Sequence, residues 1–164
     1  VLAVGDSTRL EIIFNTGSYA NQVMKSPIIK TNDGQSDESV RIKAYVVLKP
    51  DSTFPVVLKP FKFDFTGSSD TTPVQLRFTI TNVSRQRLTP RLVSAPKSLL
   101  SVSLPGLIPP GGSGQATVKI KRAGMKETFE KSITFEFDDE AKSRFTVPIA
   151  YRLSVMMVPT EAKP

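Results

Sequence analysis

Two short stretches hold clustered carboxylates. TNDGQSDE (31–38) places Asp33, Asp37 and Glu38 together, and FDDEAK (137–142) places Asp138, Asp139 and Glu140 together. Oxygen clusters of this kind can hold calcium. Neither has the full spacing of a calcium loop, and Asn-Asp-Gly is ordinary hairpin-turn chemistry. The metal reading is therefore the weaker one at Asp33, Asp37 and Glu38, and no cofactor is expected. A metal-assisted hydrolase built on Asp138, Asp139 and Glu140 is the enzymatic reading to test. Against it, nothing at a hairpin tip desolvates a carboxylate and raises its pKa.

The cationic counterpart is RQRLTPR, with Arg85, Arg87 and Arg91 within seven residues. Arginine forks suit carboxylates and phosphates. No aromatic residue interleaves, so the stacking platform for single-stranded nucleic acid is missing. These three are the candidate site for an acidic ligand, and nucleic acid is disfavoured. IPPGGSG (108–114) is glycine-rich but feeds a strand, whereas a phosphate cradle feeds a helix N-terminus. Asn82-Val83-Ser84 matches a glycosylation acceptor. Tyr19, Tyr45 and Tyr151 read as packing residues.

Composition narrows the chemistry further. The 164 residues contain no cysteine and no histidine. Disulfides, thiolate metal sites, cysteine nucleophiles and the Ser-His-Asp mechanism are excluded. The net charge is +7, which suits an anionic partner. Runs of basic residues stop at two, so most of the charge reads as solvated strand faces. No stretch nears the roughly 18 apolar residues of a membrane span.

The elements that carry these residues are strands. Val74, Leu76, Phe78 and Ile80 alternate with polar residues, as do Phe145, Val147, Ile149, Tyr151 and Leu153. Alternation marks half-buried antiparallel strands. The 13 prolines are scattered and oppose helices. Seven strands are predicted near 56–65, 74–82, 87–93, 99–104, 115–121, 129–137 and 144–155. Seven short strands with turns at this spacing predict an all-β immunoglobulin-like antiparallel sandwich. Pro148 predicts an edge or a bulge in the last strand.

A partial copy precedes this sandwich. Gly5 and Ser7 match Gly111 and Ser113 at an offset of 106, as Lys25-Ser26 matches Lys131-Ser132. Keeping the apolar face of Val40, Ile42, Ala44 and Val46 inward points to an offset of 105 there, with the first hairpin one residue longer. The expected organisation is the last three strands of a truncated repeat at 1–48, a linker at 49–53, a complete sandwich at 54–158 and a tail at 159–164. Leu10, Ile12, Phe14, Val23, Ile29, Val40, Ile42 and Val46 then lack half their core. Exposed apolar faces and open edges invite pairing, so a protein partner or self-association through 1–48 is expected.

VGDSTRLEIIFNTGSY, VMKSPIIKTND, Phe78-Thr79-Ile80-Thr81-Asn82 and Ile108-Pro109-Pro110-Gly111-Gly112-Ser113 resemble an uncharacterised bacterial immunoglobulin-like repeat family. It belongs to the class of ASH, MSP and hydin domains. Such repeats often carry a cysteine before the proline-glycine turn; here the segment reads SAPKSLLSVSLPG. The resemblance implies a tandem array with scaffolding or adhesion-like roles, an extracytoplasmic setting and no catalytic residues. The expected function is a non-enzymatic structural or protein-interaction module. The alternative is a binder of an acidic ligand or anionic polymer.

Overall fold

The computed structural model describes residues 3, 5–8, 10, 12, 14, 16, 19–31, 37–67 and 74–153. The chain divides into two compact units, 1–49 and 50–164.

The second unit is a sandwich of two four-stranded sheets. The first sheet has the order β5 (Val56–Lys59), β7 (Gln75–Asn82), β10 (Ser113–Ile120), β9 (Leu100–Ser103). The second has the order β6 (Phe63–Gly67), β12 (Arg144–Leu153), β11 (Phe129–Phe137), β8 (Pro90–Ser94). Strand order and pairing are those of an immunoglobulin-like fold. Alternation does the folding work. Val56, Leu58, Phe78, Ile80, Ala116 and Val118 face inward from one sheet, and Ile133, Phe135, Val147, Ile149 and Tyr151 from the other. Phe78 and Phe135 stack between the sheets with centroids 5.9 Å apart.

Two strand predictions need correction. The first strand is not one strand over 56–65. β5 runs antiparallel to β7, while β6 runs parallel to β12 in the opposite sheet. Pro60 lies between them and has no N–H to extend the first ladder. Pro148 sits in an inner strand with unbroken register (Ser132↔Pro148). β6 pairs with β12 only from Ile149 onward, so the flank that Pro148 interrupts is open. The bulge lies elsewhere, between Thr134 and Phe135 against β8. At Gly67, an added Cβ would stand 2.9 Å from the Tyr151 ring. The missing side chain makes room for that fully buried tyrosine, whose hydroxyl donates to the Met125 carbonyl at 3.3 Å.

Among the described residues of the first unit, four strands form two antiparallel pairs. β1 (Asn21–Lys25) pairs with β4 (Ile42–Val46), and β2 (Ile28–Ile29) with β3 (Glu38–Ser39), all in one continuous register. Val40 N–H bridges the gap to the Pro27 carbonyl at 3.1 Å. Its turns match those of the second unit. Asp6 N–H donates to Ala3 O at 3.0 Å, and Gly112 N–H to Pro109 O at 2.9 Å. Gly5 and Gly111 hold the same place in these turns with φ of 88° and 70°, a region glycine enters without strain. Tyr19 N–H to Thr16 O likewise matches Met125 N–H to Arg122 O.

Cross-strand register corrects the hairpin alignment. Lys25 pairs with Ile42, whereas Lys131 pairs with Ile149. With Lys25 set on Lys131, Ile42 falls on Ile149 at an offset of 107, not 105. The first hairpin is one residue shorter, not longer. Facing fixes an offset only to within a multiple of two, and the partner strand fixes the rest.

Candidate functional site

Asn82 ends β7 and is fully buried. Its Nδ2 donates to the Gln86 carbonyl at 2.7 Å and the Ile108 carbonyl at 3.0 Å. Its Oδ1 accepts from Ser84 N at 2.9 Å and Ser84 Oγ at 2.7 Å. Its backbone N–H donates to Gly112 O, and its carbonyl accepts from Gly111 N. One side chain therefore fixes both the 83–89 loop and the 104–112 loop. The acceptor pattern Asn82-Val83-Ser84 is spent on this structure: the amide nitrogen is enclosed and has two carbonyl partners.

The loop that Asn82 anchors presents Arg85 and Arg87, both exposed. Neither forms an ion pair among the described residues. Arg91 is placed differently. It stands on β8 opposite Glu136 of β11, with Nη2 3.6 Å from Oε1. Arg144 on β12 donates from Nε to Glu136 Oε2 at 2.6 Å. The three predicted arginines thus separate into an exposed loop pair and a strand residue held by a carboxylate.

Glu136 lies on an outward position yet is buried, because the strands on both sides place an arginine over it. The Arg144 hydrogen bond, together with the Arg144, Arg91 and Lys142 charges, holds its carboxyl below the ordinary 4.5 despite the opposing effect of burial. Asp138 is held below the ordinary 3.8, first by Thr89 N–H, which donates to Oδ1 at 2.6 Å. Asp139 accepts from Ser143 N at 2.8 Å and Ser143 Oγ at 2.6 Å. Asp138 and Asp139 are therefore engaged in holding the turn.

These depressed values predict an acid limb. Protons bind the unfolded chain first as pH falls, so the contribution of both groups is complete above their ordinary values. It is lost as pH drops through the lower folded values. The melting temperature is expected to fall progressively below about pH 4.5. Glu136→Gln and Asp138→Asn are expected to flatten that limb in thermal scans across pH.

Of the three weaker metal candidates, Asp37 and Glu38 are among the described residues. Asp33 lies outside the described residues. Asp37 pairs with Lys30 at 4.0 Å, and Glu38 is exposed on β3. Among the described residues no group of three His, Cys, Asp or Glu could hold a metal ion.

The first unit has a different feature. Ile12, Phe14, Lys25, Ser26, Pro27 and Ile42 line an open hollow of about 310 Å³. Leu10 is 60% exposed and Ile12 40%. Their matches in the second unit, Ala116 and Val118, are fully buried. Tyr19 meets Phe14 with centroids 5.3 Å apart and carries Lys25 Nζ 4.5 Å above its ring. Tyr45 is 70% exposed and is not a packing residue of its unit. Sequence reasoning identified the apolar face here, whereas Glu136 was missed because its position in the alternation reads as solvent-facing.

No family model and no curated protein matches the chain. Several solved structures are similar to it. WR4, an MSP family member of C. elegans, is 13% identical with a TM-score of 0.48; the match covers 59% of this chain and 97% of WR4. A Porphyromonas gingivalis W83 protein of unknown function is 15% identical with a TM-score of 0.48, over 84% of this chain and 68% of that one. The ASH/PapD-like domain 7 of human CEP192 is 12% identical with a TM-score of 0.43, over 70% and 99%. Likenesses at this level carry no functional argument, and the immunoglobulin-like sandwich rests on the strand order and pairings of the chain itself.

Proposed function

We propose that the chain is a non-enzymatic structural and protein-interaction module, built from one complete sandwich and the last three strands of a second, as in a tandem array. One observation carries this reading. The positions lining the hollow of the first unit correspond in the second to Val118, Ile120, Lys131, Ser132, Ile133 and Ile149. Four of these are fully buried in a core that also contains Val56, Phe78 and Leu100 from the earlier strands. The matching wall in the first unit is open, with Ile12 40% exposed. Its occupant in this reading is a second protein chain, joined by strand pairing over the exposed apolar face. An extracytoplasmic array belongs to the same reading. Among the described residues no helix is long and apolar enough to cross a membrane.

Limited proteolysis at two protein concentrations tests the docking. Cleavage within 1–49 is expected to slow markedly at high concentration. Equally fast cleavage at both would overturn it.

A second reading, an acidic ligand or anionic polymer at Arg85, Arg87 and Arg91, is favoured by the exposure of the first two, which form no ion pair among the described residues. At Arg91 such a ligand must compete with Glu136.

A further inference from the structure

The positive charge is unevenly placed. Of the 22 basic and 15 acidic residues, 16 and 10 lie in 50–164, so that unit carries six of the seven net charges. Within it the two sheets differ. On the outer face of the β6-β12-β11-β8 sheet, Arg91 and Arg144 are matched by Glu136, and Arg152 by Asp64. On the outer face of the β5-β7-β10-β9 sheet, the alternation leaves no carboxylate on any of the four strands.

The register builds a lattice on that second face. Lys59 stands beside Thr79, Arg77 beside Thr117, and Lys119 between Gln75 and Ser101. Lys59, Arg77 and Lys119 step diagonally across three strands, and such diagonal neighbours lie about 7–8 Å apart. Lys59 has an acid partner, Asp51, at 3.2 Å. Arg77 and Lys121 are held by neutral groups, which order them without cancelling their charge. In the amide orientation that satisfies both residues, Gln75 accepts from Arg77 Nε and Nη2 at 3.0 Å. Just past the end of β10, Lys121 Nζ donates to the Lys97 carbonyl at 2.6 Å.

We propose that this face, centred on Arg77, Lys119 and Lys121, binds an extended acidic polysaccharide. The inference rests on the anionic-ligand reading but moves the ligand from the loop arginines to a sheet face. Charge complementarity requires an anion, and the composition selects its class. The positions between the cations are threonine, serine and glutamine, which can hydrogen-bond sugar hydroxyls. No outward position on the four strands is aromatic, so the strands offer a base no stacking surface. The one apolar outward residue on the four strands, Val57, is half-buried, so the strand face itself offers a bilayer little to bury. Four strands at about 4.8 Å spacing make a broad, open platform, which a chain can lie across and a compact ligand cannot fill.

The test uses the full 164-residue chain with heparin and polygalacturonate as probes, measured by titration calorimetry at low salt. Binding that weakens as salt rises is expected for at least one of the two. Arg77→Gln/Lys119→Gln is expected to weaken it at least about ten-fold, with an unchanged melting temperature. Loss of binding in Arg85→Glu/Arg87→Glu with retention in the face variant would overturn the assignment and return the ligand to the loop. Binding to phosphatidylserine vesicles or single-stranded DNA, with neither polysaccharide bound, would overturn the ligand class. No binding to any of these anions would overturn the inference and the anionic-ligand reading together.

Discussion

Replacing Phe135 with alanine is expected to lower the melting temperature of the sandwich by about 20 °C. Phe135 is fully buried. Its ring stacks on Phe78 of the opposite sheet at 5.9 Å and on Phe145 at 6.3 Å, and meets Phe137 edge-on at 5.7 Å. Removing it takes away transfer free energy and leaves a cavity between two rigid sheets, about 4 kcal/mol together. A domain of this size holds roughly 5–15 kcal/mol in total, so the variant approaches its threshold. Phe135→Leu fills most of the space and is expected to cost less than half as much. Thermal unfolding followed by circular dichroism compares the two, and equal losses would contradict the packing account.

Asn82→Ala is expected to cost about 3 kcal/mol, because it removes the four hydrogen bonds of a buried amide and leaves the Gln86 and Ile108 carbonyls only their second donors, Ser84 Oγ and Leu88 N–H. The larger effect belongs to the smaller chemical change. Asn82→Asp keeps the acceptor for Ser84 but turns a second oxygen toward those two carbonyls and buries a charge. It is expected to destabilise more than alanine does. Denaturant titration of both variants decides this. An aspartate variant as stable as wild type would show that Asn82 does not hold the two loops. Ser84→Ala, which removes the hydroxyl donor to Oδ1 and the acceptor for Gln86 N–H, is expected to cost about 1 kcal/mol.

Much of the sandwich was legible because one face of each strand is apolar. Alternation alone located β7, β10, β11 and β12 to within a few residues. Pairing was not legible in the same way. The switch of β5 and β6 between sheets depends on where Pro60 interrupts a ladder. The hairpin offset of 107 instead of 105 depends on which residue lies opposite Lys25. Glu136 illustrates the same limit at a candidate site. Its own strand marks it as solvent-facing, and only Arg91 and Arg144 on the flanking strands bury it. Arg85, Arg87 and Arg91 are neighbours in sequence but diverge in space, since the loop held by Asn82 ends between Arg87 and Arg91. Arg77 and Lys119 are 42 positions apart and share a face only once β7 and β10 are paired. Asn82 was visible as the last residue of a strand, but its partners Gln86 and Ile108 come from two different loops.

The account of the first unit depends on whether its exposed apolar residues, Leu10 and Ile12 among them, find a partner. Light scattering after size exclusion, run on 1–164 beside 54–158 over a range of concentrations, measures this most directly. A dimer of the long chain beside a monomeric short one is the predicted result. A long chain that stays monomeric at every concentration would contradict the proposal that residues 1–49 dock on a second chain.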